Sequence, residues 1–424
     1  MNAPEMTIFS SPSAHALTLN SVAAVTIWVR WSDGAVEHEE EWHVPRFSVL
    51  RESLFLPKAL GDGLFGLEPG QSLHAQLKAG EVLDAWLERD CVSLPQHAFD
   101  RQLLPGIELV PRVGRFYPQG VIHGWQGANR EDRRPLRVLA VDAETITVDL
   151  NHPMSRYPLA VDLTVDSIDV EQDLDGGFCA APLDQLLEFS GMAACLPDGS
   201  NTEYVSDVAL LRREDEAPDA EFYAQPRMLQ HLDARALQTV NALYQRLIPK
   251  QAAVLDVMAS HDSHLQNVSL SVLHVLGMNA EELAANALAS TRTVQDLNQR
   301  ETLPCASNSL DAVVCTVSVE YLRRPLIVFA EVLRALKPGG VFVLTFSNRW
   351  FPSKAIAVWS LLQDFERLGL VSQWLGESGF VQRQTFSSRN WPRPQTDAYA
   401  ANISTSDPVY AVWGYKPQPS QVER

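Results

Sequence analysis

Val254–Leu255–Asp256–Val257 is an apolar run with an acid near its end, and Met258–Ala259–Ser260–His261–Asp262–Ser263–His264–Leu265 follows it. Downstream come Gly277–Met278–Asn279, then Gln295–Asp296–Leu297, then Leu303–Pro304–Cys305–Ala306–Ser307–Asn308–Ser309–Leu310–Asp311–Ala312–Val313–Val314. Leu336–Lys337–Pro338–Gly339–Gly340–Val341–Phe342–Val343 closes the series. Holding a nucleotide takes a backbone loop at one end, a polar group on the ribose hydroxyls and an acid or amide near the adenine amine. The blocks offer candidates for each: Asp256, Met258, Ser260 and His264 first, Met278 and Asn279 second, Asp296 and Leu297 third. Glycines would normally line the first loop, because backbone approaches a ligand closely only where no Cβ intervenes. Here side chains stand in their place, so Ser260 and His264 must supply contacts that backbone usually supplies, or the ligand is lost.

His261 and His264 could also act as general bases, since a neutral imidazole accepts a proton near neutral pH. The alternative is that they cap the loop or satisfy buried backbone. His261 and Asp262 lack a third ligand at suitable spacing, so no metal site is expected.

The elements that must position these residues alternate. A helical face runs from Met228 to Leu247, with Pro226 suited to its start and Pro249 to its stop. Val254–Val257 and Ser271–Leu276 read as strands, Glu281–Leu288 as a helix, Ala312–Val317 as a strand, Pro325–Leu336 as a helix and Val341–Phe346 as a strand. Such alternation implies a parallel sheet covered by helices. The first 170 residues are mostly β: Val22–Arg30 ends in the turn Ser32–Asp33–Gly34, Gln71–Leu77 and Leu159–Ile168 alternate, and Leu136–Val141 and Thr145–Leu150 flank a hairpin turn. Leu54–Gly66 reads as a short helix. Residues 171–221 form a connector with a short helix near Leu183–Phe189.

Bulk composition narrows the partners. A formal net charge of −18 on 424 residues disfavours nucleic acid, which needs a cationic footprint. Five scattered cysteines without a Cys-x-x-Cys pair suggest reduced thiols and neither disulfides nor zinc. No run of about 18 apolar residues argues for a membrane span, and Met1–Asn20 does not read as a signal peptide, so the expected location is the cytoplasm.

Taken together, the C-terminal blocks resemble the class I S-adenosylmethionine-dependent methyltransferases over roughly residues 222–380. The carriers are Asp256, the Leu303–Val314 segment, similar to the family's "LPFxDxSFDxV", and Lys337–Pro338–Gly339–Gly340. The closest likeness is to a branch with a Ser/His-rich first loop, a Gly-Met-Asn block and a Phe-Ser-Asn-Arg-Trp-Phe-Pro stretch, here Phe346–Pro352. The resemblance implies a Rossmann-like fold and S-adenosyl-L-methionine as cofactor, with Asn279 toward the ribose, Asp296 toward the adenine amine and Leu297 over the ring. It also places Glu320 and Tyr321 where such enzymes face their substrate.

Asp149–Leu150–Asn151–His152–Pro153–Met154, with Pro158–Val165 after it, resembles the "DxNHPLAG" segment of FKBP-type prolyl isomerases of the SlyD branch. Trp31–Gly34, Leu56–Gly70 and Ala79–Glu81 fit the same pattern, with an inserted flap at about 92–148. The resemblance implies a prolyl groove at Ile27, Trp86 and Ala160, with Ile27 and Ala160 in place of aromatic residues, and His38 where an acid would stand. His152 reads as structural. The histidine-rich metal tail of some relatives is missing.

The expected architecture is therefore multidomain: a tail (1–21), a mainly β, FKBP-like module (22–170), the connector (171–221), an α/β methyltransferase-like domain (222–416) and a tail (417–424). The expected function is a methyltransferase-like protein with a module that binds unfolded or proline-containing polypeptide. Two alternatives stand beside it: a prolyl isomerase with an inactive second domain, and a non-catalytic chaperone or binding protein. The methyl acceptor and oligomeric state are left open.

Overall fold

The computed structural model describes residues 16–103, 108–124, 129–172, 181–188, 190, 195–196 and 198–419. The N-terminal part is β-rich: β1 (Ser21–Ser32), β2 (Val36–Ser48), β3 (Ser72–Leu77), β4 (Cys91–Pro95), β5 (Phe116–Pro118), β6 (Pro135–Val141), β7 (Thr145–Asp149) and β8 (Leu159–Gln172). The C-terminal part contributes β9 (Ala252–Val257), β10 (Leu270–Gly277), β11 (Thr291–Val294), β12 (Leu310–Thr316), β13 (Leu336–Phe346), β14 (Val381–Arg389) and β15 (Val409–Tyr415).

Eleven of these strands form one sheet in the order β11-β10-β9-β12-β13-β15-β14-β2-β1-β8-β3. From β11 to β13 neighbouring strands are parallel, while β15 runs antiparallel to both β13 and β14. Helices cover both faces, which is why the central strands read as apolar runs rather than alternations. Ala234–Leu247 packs Val240 and Tyr244 on one face, and Pro325–Ala335 and Asp364–Glu377 pack Phe329 and Trp374 on the other. A side chain such as Phe329, fully buried there, stabilises the fold by about 2–3 kcal/mol.

The two expected modules share that sheet. β2 pairs with β14 in parallel from Val36↔Arg383 to Trp42↔Arg389. β2 carries the run Glu37–His38–Glu39–Glu40–Glu41, whose composition looks like solvated surface, and sequence reading finds no strand there. Glu37 is exposed, and the other three carboxylates of the run each have a counterpart. Glu40 accepts from Ser387 Oγ at 2.6 Å and from Arg389 at 2.9 Å, Glu39 pairs with Arg30 and Arg246, and Arg235 stands 3.9 Å from Glu41. His38 Nδ1 lies 2.7 Å from Thr385 Oγ1, also across the junction.

The remaining four strands form a separate sheet, β4-β7-β6-β5, within residues 91–149. It docks on the C-terminal part through Arg115, which donates to Glu366 at 2.6 Å, and through Phe116 edge-on to Phe365.

Several expectations change. The helix expected from Pro226 starts at Ala234, where Asp233 Oδ1 accepts from the backbone of Arg235 and Ala236. Met228 and Leu229 precede it and are 46% and 68% exposed. Leu54–Gly66 breaks into single turns, and the helix expected at 281–288 ends at Ala285. β14 and β15 complete the sheet beyond the last strand that pattern reading finds. The connector helix is Pro182–Glu188, packing Leu183 and Leu187 into the N-terminal core; Phe189, Cys179 and most of the tails lie outside the described residues. Cys91, Cys195, Cys305 and Cys315 are free thiols. Among the described residues no helix is long and apolar enough to cross a membrane.

The polar seam gives a test. Glu40→Ala strands the buried Arg389 guanidinium, and urea unfolding is expected to show a loss of about 3–5 kcal/mol. Replacing both partners, Glu40→Leu with Arg389→Met, is expected to recover most of that loss. Equal losses in the single and double variants would mean the pair does not hold the seam.

Candidate active site

The strand order reverses between β9 and β12, and a cleft opens at the carboxyl ends of β9, β10, β11 and β12. Its empty volume is about 1140 Å³, open solvent at the mouth included. All eight residues expected to hold a cofactor line it: Asp256, Met258, Ser260, His264, Met278, Asn279, Asp296 and Leu297. His261 and Tyr321 line it as well, whereas Glu320 does not.

The first loop is built without glycine, and the structure records the consequence. Met258 keeps the left-handed backbone, at φ +58°, that a glycine would adopt without penalty. The close approach has moved to the second strand. Ala259 donates its N–H to Leu276 O at 2.8 Å, and a Cβ on Gly277 would lie 2.1 Å from Ala259 O. No helix forms between β9 and β10; residues 258–269 cross as a loop that bonds to itself and its neighbours. Ser260 Oγ donates to Glu282 at 2.6 Å, and Asp262 accepts from His264 N at 2.8 Å and from the Gln230 and Gln266 amides.

Two expected roles are corrected by this bonding. Asn279 accepts from Glu281 N and Glu282 N and donates to Tyr223 O at 3.0 Å and Ala224 O at 3.2 Å. Its amide has no capacity left for a ribose; it caps a helix and ties down a covering segment. Ser260, bound to Glu282, is likewise a loop brace rather than a free ligand contact. By contrast, Asp296 uses one oxygen to accept from Asn298 N at 2.8 Å, and its other oxygen has no partner among the described residues. Leu297 and Met278 beside it are apolar walls.

The carboxyl of Asp256 is buried, 2% exposed, and burial pushes its pKa up to about 8 against the bond from Ser263. It is therefore neutral at physiological pH. Burial lowers the His264 pKa, so its imidazole is neutral too, with Nδ1 3.5 Å from Asp262. Glu320 points into the core, 1% exposed, with its pKa raised to about 7 by burial and one oxygen unpartnered among the described residues. Tyr321 OH accepts from Phe351 N at 2.9 Å. Glu320 is thus not a substrate-facing group, whereas Tyr321 lines the cleft. Among the described residues no cluster of three or more His, Cys, Asp or Glu could hold a metal ion.

Sequence reading missed the cover of the cleft. Residues 219–232, taken as connector and helix start, bring Asp219, Tyr223, Arg227, Gln230 and His231 to its lining. Arg213 and the fully buried Lys354 anchor this cover by pairing with Asp219. Asp233 as a helix cap was the available signal that the segment before it was free to do something else.

The expected prolyl groove does not assemble. In the antiparallel register Ile27 faces Leu163 and Arg30 faces Ala160, so Ile27 and Ala160 lie on opposite faces of the sheet. Ile27 is 1% exposed in the core, and the Trp86 ring is covered by Arg156 at 3.6 Å. His152 caps Pro153–Arg156 by accepting from Met154 N at 3.1 Å, and burial lowers its pKa to about 4.

Asp256 carries a pH signature. Between about pH 4 and pH 8 the folded state holds a proton that the unfolded chain has released, so rising pH removes stability from the wild type. Asp256→Asn keeps the shape and abolishes this dependence. Urea unfolding at pH 5 and pH 8 should show the variant gaining relative to wild type at the higher pH; parallel behaviour would contradict the assignment.

Residues 255–344 match the family model described as a methyltransferase domain. A 69-residue stretch is 32% identical to the biotin biosynthesis bifunctional protein BioHC of Teredinibacter turnerae, covering 16% of this chain and 12% of that protein. The [4+2]-cyclase SpnF aligns at 13% identity over 47% of this chain and 91% of its own, with a TM-score of 0.33. A phosphoethanolamine N-methyltransferase of Haemonchus contortus, solved with S-adenosylhomocysteine, aligns at 15% over 43% and 53%, with a TM-score of 0.31. YcgJ of Bacillus subtilis aligns at 13% over 43% and 99%, with a TM-score of 0.30. The C-terminal part of the chain thus carries a methyltransferase domain, a class that uses S-adenosyl-L-methionine.

Proposed function

We propose that the cleft at the ends of β9–β12 binds S-adenosyl-L-methionine and that the chain transfers its methyl group to an acceptor held at the cleft mouth. The observation that carries this reading is the half-free carboxylate of Asp296, flanked by Leu297 and Met278, at the switch point of the sheet. Asp296 is suited to accept from an adenine amine and the two apolar neighbours to enclose the ring. The sulfonium supplies an electrophilic methyl, so the protein's main task is to hold the acceptor in line and exclude water. The neutral imidazole of His264 is available to take a proton, and His231, its pKa also lowered by burial first and then by Arg227, is a second acceptor near the mouth.

Calorimetry on the full chain is the direct check: S-adenosylmethionine should bind, and Asp296→Ala should weaken it about 10–100-fold, the cost of a lost hydrogen bond to a charged group. No heat at high cofactor concentration would remove the methyltransferase reading.

The N-terminal module is proposed to bind polypeptide without isomerising prolines. Leu50, Leu54, Phe55 and Phe65 are exposed on the segment between β2 and β3, Leu54 at 80%, and such apolar surface suits an unfolded chain. Full-length protein should suppress aggregation of a denatured client while leaving prolyl isomerisation of a model peptide at the uncatalysed rate. The double variant Leu54→Ser/Phe55→Ser should lose the suppression. Isomerase activity, or suppression unaffected by the substitutions, would refute this assignment.

A further inference from the structure

Among the described residues that line the cleft, Arg227 is the one arginine or lysine. Its guanidinium carbon lies 4.4 Å from the centre of the Phe222 ring, 5.3 Å from Phe351 and 5.6 Å from Tyr223. One side-chain nitrogen donates to Phe222 O at 3.0 Å. Among the described residues no carboxylate comes within ion-pairing distance of this guanidinium. Of the acids lining the cleft, all but Asp296 are occupied or neutral. Glu282 accepts from the Arg227 backbone N–H at 2.7 Å and from Ser260, Asp219 is paired with Arg213 and Lys354, and Asp262 is bonded within its loop.

A guanidinium has five N–H donors in a planar fork that matches a carboxylate or phosphate. Here the aromatic rings hold the plane, the backbone N–H of the same residue is pinned by Glu282, and most of the fork is unused. Ordering of this kind is done in advance, so little freedom remains to be lost when an anion arrives.

We propose that Arg227 is an anion-recognition residue of the cleft, and that a ligand bound there presents a carboxylate or similar anionic group to it. The inference rests on the cleft being the ligand site, as proposed above. Two ligands could bring that chemistry: the amino-acid carboxylate of the cofactor, or an anionic methyl acceptor. In the first case Arg227 takes over anchoring that the first loop, its polar groups bound internally, does not provide. In the second it selects acidic acceptors.

The test uses the full chain as wild type, Arg227→Gln and Arg227→Lys, with S-adenosylhomocysteine, 5′-methylthioadenosine (the same nucleoside without the carboxylate) and succinate as probes. If the cofactor supplies the anion, Arg227→Gln should weaken S-adenosylhomocysteine about 10–100-fold, the cost of a charge-assisted bond, and leave methylthioadenosine unchanged. Arg227→Lys should recover part of the loss. If the acceptor supplies it, both nucleosides should bind all three proteins alike, while succinate binds wild type saturated with S-adenosylhomocysteine and fails to bind Arg227→Gln. Arg227→Gln matching wild type toward all three probes overturns the proposal, and so does equal weakening of both nucleosides. Should no nucleoside bind wild type, the methyltransferase reading fails by itself; succinate binding that depends on Arg227 would still support the anion site, and its absence would reject it.

Discussion

An acidic strand buried between two others is the constraint on which this molecule is organised. β2 carries Glu39, Glu40 and Glu41 at half-buried or buried positions, between β1 and β14. Carboxylates can occupy that position only if cations and hydroxyls reach them, because an uncompensated buried charge costs several kcal/mol. Arg30 comes from the N-terminal part and Arg235, Arg246, Ser387 and Arg389 from the C-terminal part, so the strand can be neutralised only when both parts are in place. The sheet edge that a methyltransferase domain would otherwise leave at β14 is covered, and the N-terminal module has a fixed orientation. A ladder of backbone bonds with charged side chains on it is a directional joint. An apolar contact of the same size would tolerate sliding.

The cleft shows the same economy of polar groups. With glycines gone, the first loop has no helix behind it; Ser260 bonds to Glu282, Asp262 accepts from His264 N, and Asn279 holds the cover through Tyr223 O. Among the described residues, one oxygen of Asp296 and most of the fork of Arg227 are without partners beside the apolar and aromatic side chains of the lining. The cover is set by charge as well: Lys354, with no exposed surface, sits between Asp215 and Asp219 and accepts no alternative arrangement cheaply.

Local pattern made part of this legible. The strands β9, β10, β12 and β13 are apolar runs long enough to be recognised singly, and the spacing of their terminal polar residues located the cleft lining, since strand ends in a parallel sheet converge on one edge. Where pattern failed, long-range neighbours had decided. β2 reads as surface because one of its two strand partners, β14, lies about 350 residues away. Met228 and Leu229 share a helical spacing with Leu232 and beyond, yet the Asp233 cap starts the helix after them. Ile27 and Ala160 stand in a recognisable motif order, but their faces depend on a strand register that no single segment encodes.

The sequence by itself determined the nature of the C-terminal sheet, the edge where the cleft opens and the loss of the glycine loop, because these follow from side-chain type and short spacing. Only the tertiary structure decided which polar groups are already spent, that the two parts share one sheet and that Arg227 has no acid to pair with among the described residues. Hydrogen-bond and charge satisfaction are properties of neighbours in space, and for these residues the neighbours arrive from across the chain.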